Sequence, residues 1–548
     1  ATECIERRGT GGTLDARAAV EALNALSGAA PGSANYWGYS APGFPGGIEE
    51  IARNLNQVAE YNQKEDRDFK ADVFSGAFNW AFGDLTLSSN TSYVEYDKED
   101  WLDPDDSSFA VFNDHRLESF NQFGQELRLT SPTDQTLSWM FGLYYQQHDL
   151  KTRIDVYLPR VLIDPSFIPV GLTPRATAFG GTLTEDSTWK SAFFAATWNV
   201  ADTFRVNFGG RYQDATKDGN LPAEVAYLPS NSNVYGAFQR FPDNREARGT
   251  VAASDFLPEL GFEYDVADSM MVYAKYAEAF KNGGFVMSPP VGGGLPVAFT
   301  FAPEQAKGYE AGYKGRLFDN RLEFNAAAYY TKYSNLQVTI FISTIGQFIT
   351  TNAAESHTQG LEFDGRFAVT DNFTLGFSGV LGAEAQYDIY NGASCNSLEA
   401  KAWAASPPPG QAANACRADR AGVSLPNVPE WTLSLNPEYG LDLNQNYRLR
   451  IGGNLLFSDG YNLGDNEDVR RTGGSNGDGS IGAYERIDAR VALVPAAGNW
   501  EFALYGRDLT DTRLVVGSSP DFQHKSLDPT RYDSGGIARE RGDRKSVV

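Results

Sequence analysis

From about residue 68 onward the chain repeats one pattern: two stretches of strand character joined by a short polar turn, then a long irregular connection, then two more. The short joints are Gly83-Asp84, SPTDQ (131–135), Ala201-Asp202, VAD (266–268), FDN (318–320), TDN (370–372), LNQN (443–446) and PAAG (495–498). They carry the Gly, Asp, Asn and Pro of tight turns. The long connections fall near 98–116, 150–186, 217–253, 284–300, 341–357, 389–427, 459–481 and 516–530. An up-and-down meander with this alternation gathers its short turns at one end and its long loops at the other.

The strands have two unlike faces. In TFRVNFGGRYQ (203–213), Phe204, Val206, Phe208, Gly210 and Tyr212 share one side, and Arg205, Asn207, Gly209, Arg211 and Gln213 the other. YRLRIGGNLLF (447–457), RLEFNAAAYY (321–330), WEFALYGR (500–507) and TLSWMFGLYY (136–145) behave similarly, and the polar side repeatedly includes charges. A soluble sandwich would alternate in the same way, so periodicity alone leaves the apolar phase open.

Three further features choose lipid. The roughly sixteen strands run about 12 to 16 residues, against a usual five or six, and a tilted membrane strand needs about 9 to 11. Tyr and Trp collect toward strand ends, where an amphipathic ring suits a membrane interface: Tyr93, Tyr96, Tyr144, Tyr145, Trp189, Trp198, Tyr212, Tyr273, Tyr276, Tyr329, Tyr330, Tyr333, Trp431 and Trp500. Long strands with no helices to cover them would also expose edges that closure removes. The expected fold is all-β: a transmembrane antiparallel up-and-down β-barrel with short periplasmic turns and long extracellular loops. Phe204 and Phe208 then face lipid, and Arg205 and Arg211 a wet lumen.

Composition fits that class. Aromatics make up 13 % of the chain and Gly is abundant at 55, while Met and His number 4 each. The formal charge of −24 disfavours a polyanionic partner, so no nucleic acid is expected. Much of the acid lies in expected loops, EYDKEDWLDPDD (95–106) and GDNEDVRR (464–471), where a solvated surface is a simpler reading than a calcium site. Cys395 and Cys416 flank a Pro/Ala-rich insert and are a candidate disulfide in an oxidising compartment, which leaves Cys4 over. The four histidines (115, 148, 357, 524) are scattered and read as surface residues; no metal-ligand spacing appears, and no cofactor is expected. No apolar run reaches the roughly 18 to 20 residues of a spanning helix, which does not bear on a barrel. The opening ATECIERRGTGGTLDARAAV lacks the form of a signal peptide. No G-x-S-x-G, Walker, H-E-x-x-H or EF-hand pattern occurs, so no enzyme is expected.

Several stretches, in order, resemble the barrel of TonB-dependent outer-membrane receptors: SFNQFGQELRLTSP (119–132), FRVNFGGRYQDATK (204–217), DFLPELGFEYDVADSMMVYAKYAEAFKNGGF (255–285), FAPEQAKGYEAGYKGRLFDNRLEFNAAAYYTKYSNLQV (301–338), NAAESHTQGLEFDGRF (352–367), LPNVPEWTLSLNPEY (425–439) and WEFALYGRDLTD (500–511). The likeness spans about 68–515. Residues 1–67 read as a loop or disordered remnant, and 516–548 as a final loop and atypical tail ending in Val548. Family members carry a signal peptide, a TonB-contacting box, a plug and a 22-stranded barrel. No plug-like stretch precedes residue 68, so the sequence is expected to be a fragment holding about sixteen of those strands, or a reading frame altered near its end. The resemblance implies a Gram-negative outer-membrane receptor for energy-coupled uptake of a scarce solute, foremost a ferric siderophore-type chelate. Its partners would be outer-membrane lipid and, through a plug, TonB with its ExbB-ExbD complex. The alternatives are the same machinery importing a glycan, an aromatic or a cobalamin-like nutrient, or a plugless passive channel.

Candidate ligand contacts are Tyr157, Arg160, Trp403 and Tyr461 near the external ends and loops, and Arg211, Arg448 and Arg450 as lumen lining. For the arginines the competing role is pairing with a carboxylate on a neighbouring strand. YAEAFKNGGF (276–285) reads as a strand top turning into a loop, rather than as an anion nest around Lys281.

Overall fold

The computed structural model describes residues 66–102, 113–159, 175–222, 247–287, 298–342, 347–395, 399, 402–403, 405–411, 416–462, 480–512, 514–520 and 536–541. Within them sixteen strands form an antiparallel meander. They are β1 (Asp66–Phe82), β2 (Leu85–Leu102), β3 (Asn113–Thr130), β4 (Leu137–Pro159), β5 (Arg175–Ala201), β6 (Phe204–Leu221), β7 (Ala247–Ala267) and β8 (Met270–Lys281). There follow β9 (Glu304–Leu317), β10 (Leu322–Ile342), β11 (Gln347–Ala368), β12 (Phe373–Ser394), β13 (Thr432–Asn444), β14 (Tyr447–Ser458), β15 (Tyr484–Pro495) and β16 (Phe502–Gly506). Each pairs with the next, and Arg417–Asp419 joins the edge of β12 to complete a 17-stranded sheet. Among the described residues β1 and β16 are not paired with each other, so the barrel wall is present as a curved, open sheet.

The short joints are tight because their residues accept unusual backbone geometry. Gly83 turns β1 into β2 at φ 59°, a left-handed value that costs glycine nothing. The β9–β10 joint places Phe318, Asp319 and Asn320 at φ 53°, 55° and 64° in succession. Asp and Asn tolerate that region better than most residues.

Alternation then sorts the side chains. On one face of β4 to β6 lie Phe141 (46 % exposed), Phe194 (42 %), Trp198 (47 %), Phe208 (36 %) and Tyr212 (51 %). A water-soluble sheet would bury this face; here it is a continuous apolar belt, each large side chain of which gains about 1.5–3 kcal/mol on leaving water. Phe204 and Phe208 point into this belt. Arg205 points the other way, where its guanidinium donates to Glu263 Oε2 (2.8 Å) and binds Asp265. Among the described residues no helix is long and apolar enough to cross a membrane.

The strands run further than their apolar pattern suggests. β5 has 27 residues, about 90 Å along its own axis, several times what a bilayer needs. Most of the expected loop 150–186 is therefore strand, and only 343–346 lie outside β10 and β11 where a loop at 341–357 was expected. The EYDKEDWL stretch is likewise the upper part of β2. In the β4–β5 extension charged and hydroxylic residues such as Asp149, Thr184 and Glu185 are interspersed among apolar ones, so the regular apolar period is lost while the hydrogen-bonded pairing continues. Segment 464–471 lies outside the described residues.

The interface aromatics also divide. Tyr93, Tyr145, Trp198, Tyr212, Tyr276, Tyr330, Trp431 and Trp500 lie on the belt side, but Tyr96, Tyr144, Trp189, Tyr273, Tyr329 and Tyr333 have the opposite parity and face the lumen. Neighbours such as Tyr144 and Tyr145 cannot share a face of one strand.

Candidate functional site

The most distinctive group on the lumen wall sits midway up β4, β5 and β6. Register places Phe193 between Gly142 and Arg211, one residue from each strand. Gly142 is required there: a Cβ would stand 2.1 Å from Phe193 Cζ, so only a bare backbone lets the ring lie flat on β4. The Arg211 guanidinium lies over two rings, 5.3 Å from the Tyr144 centroid and 5.5 Å from that of Phe193. Its Nε is buried and makes no hydrogen bond.

No carboxylate reaches Arg211 among the described residues, and this sets it apart from the other cations facing inward from β1 to β6. Arg67 and Lys98 share Asp100. Arg116 binds Asp114, Arg128 binds Glu126, Arg205 binds Glu263 and Asp265, and Lys217 binds Glu185. Arg211 therefore keeps an uncompensated charge, held in place by ring faces instead of a counter-ion.

Above Arg211 a polar chain climbs the same wall. Tyr144 Oη donates to Gln146 Oε1 (2.6 Å), Gln146 Nε2 lies 3.4 Å from His148 Nδ1, and His148 Nε2 lies 3.1 Å from Glu185 Oε1. Lys217 Nζ closes it, 2.7 Å from the same carboxylate oxygen. Burial pushes the Glu185 carboxyl up, but hydrogen bonds from His148 and Lys217 outweigh it, so the group is held below its ordinary value of 4.5. His148 also ends a ladder of rings through Phe120, Tyr96 and Phe69, with centroids 5.4, 5.1 and 5.5 Å apart.

The remaining candidates fall in different places. Arg448 faces the lumen beside the β13–β14 turn, 3.6 Å from Asp442 Oδ1, so here the carboxylate pairing does occur. Arg450 is exposed on the same face, two residues higher. Both belong to the short-turn end, far along the strand from the loops. Tyr461 is half-buried in a short ladder, Tyr461–Asn462 with Ser480–Ile481, and its hydroxyl is pushed up by burial and by Tyr484. Trp403 is half-buried in a helical turn of the insert. The Tyr157 side chain and Arg160 lie outside the described residues. The chain joins Cys395 to Cys416, and Cys4 lies outside the described residues. Lys281 ends β8, and Gly284–Phe285 turn back to pair with Thr300–Phe301, so this stretch is the top of a strand.

Three histidines differ from a surface reading: His115, His148 and His357 are mostly buried, each beside a carboxylate (Glu99, Glu185 and Asp388). Among the described residues no cluster could hold a metal ion. Across the lumen wall from β8 to β14 a cavity of about 530 Å³ is lined by Tyr273, Glu310, Lys314, Asn325, Glu362 and Asp364 among others. Residue identity alone could not single out Tyr144, Phe193 or Gln146; the strand register does, since 142, 193 and 211 meet only when β4, β5 and β6 align.

Comparisons with known proteins agree with this architecture. The pesticin receptor of Yersinia enterocolitica is 23 % identical over 277 residues, 50 % of this chain and 36 % of that receptor. The metal-pseudopaline receptor CntO of Pseudomonas aeruginosa is 32 % identical over 128 residues, 23 % of this chain and 16 % of CntO. The chain thus spans about a third, or less, of the curated relatives it matches. Among solved structures, the ferric yersiniabactin uptake receptor FyuA of Yersinia pestis superimposes with a TM-score of 0.62 at 15 % identity, covering 87 % of this chain and 60 % of FyuA. The ferric-catecholate import receptor Fiu of E. coli K12 gives 0.58 at 15 % identity, covering 93 % and 67 %. These last two likenesses concern the fold. Residues 17–509 match the family described as TonB dependent receptor-like, beta-barrel, an outer-membrane family of transport receptors, and the chain belongs to it.

Proposed function

We propose that this barrel is the solute-binding and conducting part of a Gram-negative outer-membrane receptor that takes up an anionic ferric chelate at the expense of TonB. Family membership supports the energy-coupled class. The single observation that supports an anionic cargo is Arg211, a lumen cation stacked on Tyr144 and Phe193 with no carboxylate in reach among the described residues. A partly buried guanidinium stacked on rings favours an anion over a neutral sugar or a cation. Two proteins that share the fold are named for ferric chelates, the cargo class this reading adopts.

The division of labour follows from height along the strands. The walls above the belt and the long connections meet the solute first. Arg211 and its ring faces would then contact an anionic group as it enters the lumen, and the polar wall below it would accompany passage. TonB, driven by ExbB-ExbD, would act through a plug. On this reading the barrel itself catalyses no reaction; it binds, orients and admits.

The test is uptake of radioiron presented as ferric citrate or ferric tris(catecholate) by cells lacking their own chelate receptors and expressing this protein. Uptake that disappears on deleting tonB is the expected result. Accumulation independent of TonB would favour a passive channel, and uptake of neither chelate would remove the ferric reading.

A further inference from the structure

The upper half of β12 does not pair with β13, which accompanies it only from Phe373 to Val380. Its edge is completed instead by the returning end of the 395–416 insert. Arg417, Ala418 and Asp419 pair with Ser394, Ala393 and Asn391. Below them Arg420 N donates to Tyr390 O (2.9 Å), Gly422 N to Tyr387 O (2.7 Å), Tyr387 N to Val423 O (3.0 Å) and Leu425 N to Ala385 O (2.7 Å). The stretch 417–425 is thus an added strand of the wall.

Two further ties act on the same place. Cys395 and Cys416 are joined, closing the insert at its root. Arg420, 2 % exposed, donates from both terminal nitrogens to Glu399, Nη1 to Oε1 at 2.6 Å and Nη2 to Oε2 at 2.7 Å, which anchors the helical turn of the insert. Beneath lies an apolar cluster of Val338, Ala354, Tyr387, Tyr390 and Ala393, packed against Ala418, Val423 and Leu425. The cluster is on the lumen side: Tyr387 and Tyr390 stand opposite Ser356 and Ala354, which share parity with the cavity residues Glu362 and Asp364, whereas Ile389 faces outward and is 47 % exposed.

We infer that the base of the insert, Cys395 with Glu399 and 416–425, is a permanently folded part of the wall at the mouth, and not a loop that orders when solute arrives. The inference rests on the reading of the chain as a solute receptor. Its physical basis is redundancy. Backbone pairing, a buried bidentate ion pair and an apolar cluster each hold the strand, so the disulfide is one tie among several. A segment with this much buried apolar contact and paired backbone belongs to the stable end of a structure's range of local opening.

Hydrogen exchange on the full chain in detergent micelles tests it, comparing wild type, wild type with reductant, Cys395→Ser/Cys416→Ser and Arg420→Met, with and without ferric citrate or ferric tris(catecholate). Exchange at Tyr387, Arg420, Gly422 and Leu425 is expected to be slow, to change by less than about threefold on reduction, and to be unmoved by either chelate. Arg420→Met in the disulfide-free background is expected to speed it by about tenfold or more. Loop-like exchange in the oxidised wild type, a tenfold rise on reduction alone, or marked slowing on chelate binding would each overturn the fixed wall. Should Arg420→Met fail to fold, the wild-type arms decide. If neither chelate binds, the receptor reading fails while slow, reduction-insensitive exchange still supports the folded base.

Discussion

Arg211 and Tyr144 meet across two strand boundaries, guanidinium over ring at 5.3 Å, and Tyr144 turns its own hydroxyl away to Gln146. The arginine is thereby held by a face, without an ion pair among the described residues to lose. Replacing it by alanine should cost little stability, about 0.5–2 kcal/mol for the stacking. Arg205→Ala should cost more, since Asp265 and Glu263 would lose their shared cation. Denaturant unfolding of both variants in detergent checks the order; equal losses would show that Arg211 has an ionic partner after all.

Gly142→Ala should disturb the Arg211 platform from behind. The new methyl would overlap the Phe193 ring, which must swing off β4 and take one of the two faces under Arg211 with it. An overpacking cost of about 1–3 kcal/mol is expected, together with weaker chelate binding, although the substitution touches no charge. A variant as stable as the wild type would mean that Phe193 moves freely.

The Glu185 carboxyl should give the outer wall an acid-sensitive element. It lies sixteen positions above the β5–β6 turn, beyond the stretch of strand that a bilayer needs. Its folded value is held below the unfolded one, so its contribution is complete above about pH 4.5 and disappears as pH falls through the depressed folded value. Unfolding free energy should therefore drop more steeply for wild type than for Glu185→Gln on going from about pH 6 to pH 3. Parallel pH profiles would assign the acid sensitivity to other carboxylates.

The sequence made the meander legible because the short turns and the apolar period are local signals. Phe204 and Phe208 alternate with Arg205 and Arg211, and both pairs point as expected. What it concealed was register and reach. Tyr144 looked like a girdle residue because it adjoins Tyr145, yet parity puts it in the lumen. The extensions of β4 and β5 are built from residues such as Asp149, Thr184 and Glu185, whose pairing comes from backbone ladders and cross-strand contacts, so no apolar rhythm marks them. His148 read as surface because its partners, Glu185 and Lys217, lie far from it in sequence and meet it only through the register of β4, β5 and β6.

The same contrast separates the arginine candidates. Arg448 is already engaged by Asp442 at the short-turn end, whereas Arg211 at mid-height meets ring faces and, among the described residues, no carboxylate. An equilibrium titration of the full chain in detergent with ferric citrate and ferric tris(catecholate), for wild type, Arg211→Ala and Arg448→Ala, decides whether Arg211 meets the cargo. Wild type is expected to bind at least one ferric chelate, Arg211→Ala to weaken that binding by about tenfold, as for one lost charge-assisted contact, and Arg448→Ala to leave it unchanged. Equal affinities for wild type and Arg211→Ala, or no binding of either chelate by the wild type, would contradict that role.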